Sequence, residues 1–151
     1  MNDPIWISSR LAANQRPALE RLLFFNENQH RVRVGIERSI DVYGEPMIYD
    51  RDGSLAIRVG ALDGVQSLFA VSADGRLRGV AVFARLAADR IVVLHLGVEP
   101  AAPSAAGAGC GVLLKLMHEI RSTARAARGV DRIELVYNSG RRGKEPRRLA
   151  N

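Results

Sequence analysis

Residues 105–114 read AAGAGCGVLL, with glycine at alternate positions directly ahead of an apolar run. Glycine is unfavourable inside a helix, but it permits positive φ and lets another molecule approach the backbone closely. The stretch therefore predicts a loop whose N–H groups face a ligand, followed by an amphipathic helix packed on a sheet. The apolar residues of that helix recur at helical spacing: Val112, Leu113, Leu116, Met117, Ile120 and Ala124.

Strand patterns flank this loop and helix on both sides. Residues 90–98 (RIVVLHLGV) precede the loop, and residues 132–137 (RIELVY) follow Gly129, which is expected to end the helix. A strand, a loop, a helix and a strand in this order form a βαβ unit. We therefore expect the last two strands to be parallel neighbours.

The chain ahead of residue 90 predicts antiparallel hairpins. Residues 67–72 and 77–86 flank the turn signal at 73–76, and residues 47–59 read as a hairpin that turns at Asp52-Gly53. Pro17 suits the first turn of a helix that carries Leu19, Leu22, Leu23 and Phe25. Residues 30–42 fit a strand and a helix equally well, and the sequence does not decide between them.

The length of 151 residues fits a single domain, which we place at residues 1–140. The formal net charge of +6 comes mostly from the end of the chain, because residues 141–148 contain five basic residues and one acidic residue. Such a segment, interspersed with Gly and Pro, is typical of a disordered tail, so we assign residues 141–151 to a basic tail. It contains no aromatic residue to stack on a base, so nucleic acid is not the expected partner.

The remaining composition excludes several classes of site. Cys110 is the only cysteine, so an intrachain disulfide and a four-cysteine zinc site are impossible. The histidines His30, His95 and His118 lack the spacing of a metal pair, and we predict no metal. The first residues resemble no secretion signal and no apolar run reaches membrane-spanning length, so we expect a cytoplasmic protein without a membrane partner.

The sequence matches neither of two common phosphate-binding motifs. The P-loop requires Lys-Ser or Lys-Thr after its last glycine, but Val112 and Leu113 follow Gly111. The dinucleotide fingerprint GxGxxG fails as well, because the three glycines are spaced by two throughout. What remains is the free N–H groups and the positive dipole end at a helix N-terminus, which attract phosphate where side chains do not block it.

At this point the sequence resembles the GNAT superfamily of N-acetyltransferases. That family ends its fourth strand with a pattern like Leu-x-Val-x-Pro and binds the pyrophosphate of acetyl-CoA with Arg/Gln-x-x-Gly-x-Gly/Ala at the start of the next helix. Residues 96–100 (LGVEP) match the strand end, and residues 106–111 (AGAGCG) fall on the loop. The resemblance covers residues 67 to about 138, with only a vague match before them.

The resemblance implies an α/β (α+β) fold: a GNAT-like mixed, mostly antiparallel sheet flanked by helices, with one βαβ unit that binds the cofactor. It implies acetyl-CoA as cosubstrate, and an amine of a small molecule or a protein as acceptor. Asn138 falls where the family often has an asparagine near the pantetheine arm, although a strand-ending turn residue is an equal alternative. The implied cofactor-binding residues are Leu96, Gly97, Val98, Ala106, Gly107, Ala108, Gly109, Cys110, Gly111 and Asn138.

Three departures from the family pattern lead to further expectations. Ala106 stands where the family usually has Arg or Gln, and residues 101–105 include about three more than we expect, an insertion that loops tolerate. Only 14 residues follow Tyr137, too few for the helix and two strands with which the family finishes, including its general-acid tyrosine. A sheet that stopped there would leave an open strand edge, so we expect a homodimer in which a partner covers it.

Two residues are candidates for the base that removes the proton of the amine. His95 and Glu99 are four apart on the predicted strand, so both point to one face, with Gly97 between them. Glu99 is the nearer to the loop, since His95 lies about 13 Å further back at roughly 3.3 Å per residue. Cys110 could be a thiol activated by the helix dipole, but its position matches a small apolar residue of the family loop, which favours an inert thiol.

We therefore predict an acetyl-CoA-dependent N-acetyltransferase. One alternative is a non-catalytic acyl-CoA-binding or regulatory module, which Ala106 and the shortened end favour. The other is an interaction protein that uses its basic tail on nucleic acid or an acidic partner, which a steep salt dependence would reveal. The sequence leaves the acceptor amine unidentified.

Overall fold

The computed structural model describes residues 4–24, 40–99 and 108–135. Two helices and eight strands lie in these ranges, together with a short 3-10 turn at Ala13–Gln15 and a helical stretch at residues 40–43. The helices are α1 (Arg16–Phe24) and α2 (Ala108–Ala126). The strands are β1 (Ile5–Ser8), β2 (Leu11–Ala12), β3 (Pro46–Arg51), β4 (Ser54–Val59), β5 (Gln66–Ser72), β6 (Leu77–Ala87), β7 (Arg90–Val98) and β8 (Arg132–Leu135).

The strands form two sheets. The larger has the order β1-β5-β6-β7-β8, with antiparallel neighbours except for the parallel pair β7 and β8, and the smaller has the order β2-β4-β3. Helix α2 connects β7 to β8, so the predicted βαβ unit is present. The prediction of a mixed, mostly antiparallel sheet flanked by helices, with one βαβ unit, is confirmed. The N-terminal strands β1 and β2 had no clear sequence signal.

Local sequence explains the hairpins. Asp52 and Gly53 adopt φ of 53° and 83°, and two successive positive φ values match the right-handed twist of the strands that they connect. In the turn between β5 and β6, Gly75 has φ of 83°. Both predicted hairpins are confirmed.

The helices depart from the sequence predictions at their ends. Pro17 lies in the first turn of α1, which buries Leu19, Leu22 and Leu23 as expected, while Phe25 lies outside the described residues. Of the ambiguous residues 30–42, the structure describes 40–42 and makes them helical. Helix α2 begins at Ala108, four residues before the periodic run at Val112, because the small residues 108–111 also adopt helical geometry.

Apolar residues fill both faces of the larger sheet. On one face α2 buries Val112, Leu116, Ile120 and Ala124 against residues such as Phe83 and Val93. On the other face α1 and the smaller sheet bury a second cluster, which includes Leu19, Leu22, Ile57, Val80, Val82 and Leu94. Each fully buried Leu or Ile stabilises the fold by about 1.5–3 kcal/mol relative to an exposed position.

Two bulges in the β6–β7 pair determine which side chains face α1. Leu86 is the extra residue in β6, and Leu94 is the extra residue in β7, because Val82 pairs with His95 but Phe83 pairs with Val93. Directly paired residues point to the same face of a sheet. The bulge at Leu94 therefore directs His95 to the α1 face, where its partner Val82 is buried.

Candidate functional site

The first turn of α2 is the candidate anion-binding element. Ala108, Gly109, Cys110 and Gly111 are its first four residues, and the first four N–H groups of a helix have no partner within the helix. The turn carries no acidic residue, so nothing there opposes a negatively charged ligand. These residues were expected to form a loop, and their helical geometry points their N–H groups along the helix axis instead.

The space beside Gly111 determines whether a ligand can approach this turn. Beyond the backbone of its own helix and its two chain neighbours, a Cβ atom built on Gly111 would meet no atom of the described residues within 4 Å, so the space beside it is open. Side chains in a helix tilt towards its N-terminus, and the glycine leaves that approach clear. The turn therefore combines free N–H groups, no acidic side chain and open space beside Gly111, which are the features that an anion-binding helix N-terminus needs.

Gly97 has a different reason to be glycine from the one expected. Its Cα lies against α1, and an added Cβ would come within 2.7 Å of the Leu22 carbonyl oxygen. The missing side chain makes room for the helix, so a cofactor does not approach Gly97 from this face. On the opposite face Leu96 and Val98 pack against the α2 cluster as half-buried residues.

His95 is buried in the core that faces α1. Its side chain is 3% exposed, and its Nε2 atom has no hydrogen-bond partner. Burial disfavours the charged imidazolium and lowers the pKa of His95 to about 4, so the ring is neutral at neutral pH. A ligand reaches this nitrogen only if the surrounding side chains move.

Glu99 lies just beyond the end of β7 and forms ion pairs with two arginines of the preceding hairpin. Its Oε1 accepts a hydrogen bond from Arg76, and its Oε2 accepts one from Arg78 Nη1 at 2.8 Å. Its backbone N–H also donates to the Arg78 carbonyl oxygen at 2.8 Å. The two candidate bases therefore have different environments: His95 is buried with its Nε2 atom unpartnered, and both carboxylate oxygens of Glu99 accept hydrogen bonds from guanidinium groups.

Sequence reasoning missed Arg76 and Arg78. The signal was available, because counting outward from the turn at Ala88-Asp89 puts Arg78 opposite Glu99. The two bulges each add one residue, in opposite strands, and so preserve this pairing at the strand end. An Arg opposite a Glu at the end of a hairpin predicts a cross-strand ion pair.

Several predicted site residues lie outside the described part of the chain. These are Ala106, Gly107 and Asn138, together with the side chains of Ala108 and Cys110 and the basic tail. Within residues 4–24, 40–99 and 108–135, no group of three or more His, Cys, Asp or Glu side chains could hold a metal ion. No helix in these same ranges is long and apolar enough to cross a membrane.

Comparison with known proteins gives similarities among solved structures only. No family model matches the chain, and no curated protein matches it significantly. The structure of nourseothricin acetyltransferase is similar at 18% identity and a TM-score of 0.48, over 89% of this chain and 76% of that one. A proposed acetyltransferase of the GNAT family from Desulfovibrio desulfuricans is similar at 18% identity and a TM-score of 0.41, over 86% of this chain and 71% of that one. Identities and TM-scores this low carry no argument about function, so the function proposed below depends on the residues of the site.

Proposed function

We propose that this chain is a cytoplasmic N-acetyltransferase that binds acetyl-CoA at the first turn of α2 and transfers its acetyl group to an amine. The observation that supports the proposal most directly is the composition of that turn. Four small residues begin a 19-residue helix, Gly111 borders open space, and the helix connects two parallel strands. Backbone N–H groups at such a terminus bind phosphate without a basic side chain, so Ala106 is compatible with the proposal.

When bound, acetyl-CoA supplies an activated acyl group as a thioester. In the overall reaction the carbon–sulfur bond breaks, an amide bond forms to the acceptor nitrogen, and the proton of the amine passes to water or to the released thiolate. The protein contributes by positioning: the α2 turn holds the phosphates, and the end of β7 orients the reacting end of the molecule. We assign no side chain as an essential base.

A non-catalytic acyl-CoA-binding module is the second candidate. It is favoured by the environments of the two candidate bases, since His95 is buried and Glu99 is paired with two arginines. This module and the enzyme share the binding site and differ only in turnover. A panel of primary amines and lysine peptides, with the released CoA thiol as readout, separates the two.

Calorimetry with CoA tests the binding site itself. We expect Gly111→Val to weaken CoA binding by about tenfold or more, because the added side chain blocks hydrogen bonds to a charged phosphate, which contribute about 1.5–3 kcal/mol. The variant should fold normally, since the new Cβ meets no packed side chain or neighbouring segment of the described residues within 4 Å.

Ala126→Val is the matched control, since it places the same side chain at the exposed last residue of the same helix. It should leave CoA affinity unchanged. Equal affinity of wild type and Gly111→Val for CoA would remove the α2 turn as the binding site. Absence of CoA binding by the wild-type protein would remove the proposed function.

A further inference from the structure

The ion pairs of Glu99 belong to a larger group of hydrogen-bonded side chains, which we call the strand-end cluster: Ser72, Asp74, Arg76, Arg78 and Glu99. Ser72 is 2% exposed, and its Oγ accepts a hydrogen bond from Arg78 Nε at 3.2 Å. The same hydroxyl lies within hydrogen-bond distance of the Asp74 carboxylate and of the Arg76 carbonyl oxygen. Arg78 is therefore held on one side by a buried serine of β5 and on the other by Glu99.

We infer that Glu99 is a positioning residue, which holds the end of β7 against β6 through Arg76 and Arg78, and that it does not take the proton of the amine. The inference rests on the proposed function, because β7 is the strand that precedes α2 in the chain and Glu99 directly follows its last residue. It gives Arg76 and Arg78 a role in holding the strand end, which the sequence prediction of the site did not include.

Three connections between the strands meet at Glu99. Two are its carboxylate bonds to Arg76 and Arg78, and the third is its backbone N–H bond to Arg78. An isolated exposed ion pair contributes little, but the Arg78 and Glu99 side chains are only 27% and 24% exposed, and the Ser72 bond already orders Arg78. The cluster therefore fixes the position at which the chain leaves β7.

The same contacts argue against proton transfer by Glu99. A general base must come within hydrogen-bond reach of the proton that it removes, directly or through one water. Both oxygens of Glu99 already accept from guanidinium groups, so an amine would have to displace one of these bonds. A carboxylate fixed in this way is suited to hold backbone in place.

Glu99→Gln, Arg78→Gln and the double variant test the inference as a double-mutant cycle, with CoA affinity from calorimetry and steady-state kinetics as readouts. Each single variant should weaken CoA binding by about fivefold, the scale of a partly exposed ion pair. The double variant should bind no more weakly than Glu99→Gln alone, because both changes break the same connection. The dependence of kcat on pH should be that of the wild type.

Glu134→Gln is the matched control. It removes the ion pair between Arg90 Nη1 and Glu134 Oε2 (3.1 Å), which joins the other end of β7 to β8. It should leave CoA affinity unchanged. Wild-type CoA affinity in Glu99→Gln, with a lower kcat that recovers at alkaline pH, would overturn the inference and make Glu99 the base.

Amide hydrogen exchange measures how firmly the strand-end cluster holds the end of β7, and it needs no ligand. The N–H of residue 99 should exchange about fivefold faster in Glu99→Gln and in Arg78→Gln, and at the wild-type rate in Glu134→Gln. If the wild-type protein fails to bind CoA, the proposed function fails, and the exchange rates still decide whether the arginines hold the strand end. Unchanged exchange in both cluster variants would overturn the inference.

Discussion

The buried imidazole of His95 makes the stability of the fold dependent on pH. Its pKa is lowered from 6.5 to about 4 in the folded protein because burial penalises the charged ring. The unfolded chain therefore binds more protons than the folded one between these values, and stability falls as pH falls through this interval. The contribution of His95 is fully present above about pH 6.5 and is lost progressively towards pH 4.

The magnitude follows from the difference between the two pKa values. At about 1.4 kcal/mol for each pKa unit, the stability that depends on a neutral His95 falls by about 2 kcal/mol between pH 7.5 and pH 5, and by about 3 kcal/mol at pH 4. Other titrating groups add their own pH dependence. The difference in stability between the wild type and a variant that lacks His95 isolates the pH dependence that His95 contributes.

His95→Phe removes the titrating group and keeps a planar ring. Replacing an unpartnered polar atom by an apolar group is close to neutral or stabilising, so at pH 7.5 the variant should be about as stable as the wild type. At pH 5 we expect the variant to be the more stable of the two by about 2 kcal/mol. Urea unfolding followed by circular dichroism gives both values, and His95→Leu repeats the test with a smaller side chain.

His118→Gln is the control, since His118 lies exposed on α2. Its stability should follow the wild-type dependence on pH. If His95→Phe and the wild type lose stability in parallel between pH 7.5 and pH 5, then the buried, unpartnered state of His95 is not the one that the protein adopts in solution.

Two further predictions concern packing and assembly. Gly97→Ala should destabilise the fold by about 1–3 kcal/mol in urea unfolding, because the added Cβ would meet the Leu22 carbonyl oxygen. Gly111→Ala should stabilise the fold by about 0.5–1 kcal/mol, because alanine has the higher helix propensity. Equal effects of the two substitutions would show that α1 does not pack against Gly97 as described. The homodimer expected from an open strand edge stays a prediction: light scattering should give twice the mass of one chain, and a monomer at all concentrations would refute it.

The sequence was sufficient for the elements whose signals are local. The turn at Asp52-Gly53 requires positive φ, and the spacing of Val112, Leu116 and Ile120 specifies one buried helix face. The parallel pairing of β7 and β8 followed from the intervening helix, because a helix that packs on the sheet carries the chain back to the end at which the preceding strand began. These features depend on residues that are close in the sequence, so the sequence alone predicts them.

The tertiary structure decided the features that depend on contacts between distant residues. The start of α2 at Ala108 has no periodic signal, because small residues bury little in a helix or in a loop. The bulge at Leu94 changed which residues face α1 and enclosed His95, and the close approach of Leu22 gave Gly97 its role. Arg76 and Glu99 are 23 residues apart, and Arg76 lies just ahead of β6, so strand pairing alone does not predict their ion pair. Sequence patterns carry the preference of each segment for helix, turn or strand, whereas the environment of a side chain is determined by the segments that pack against it.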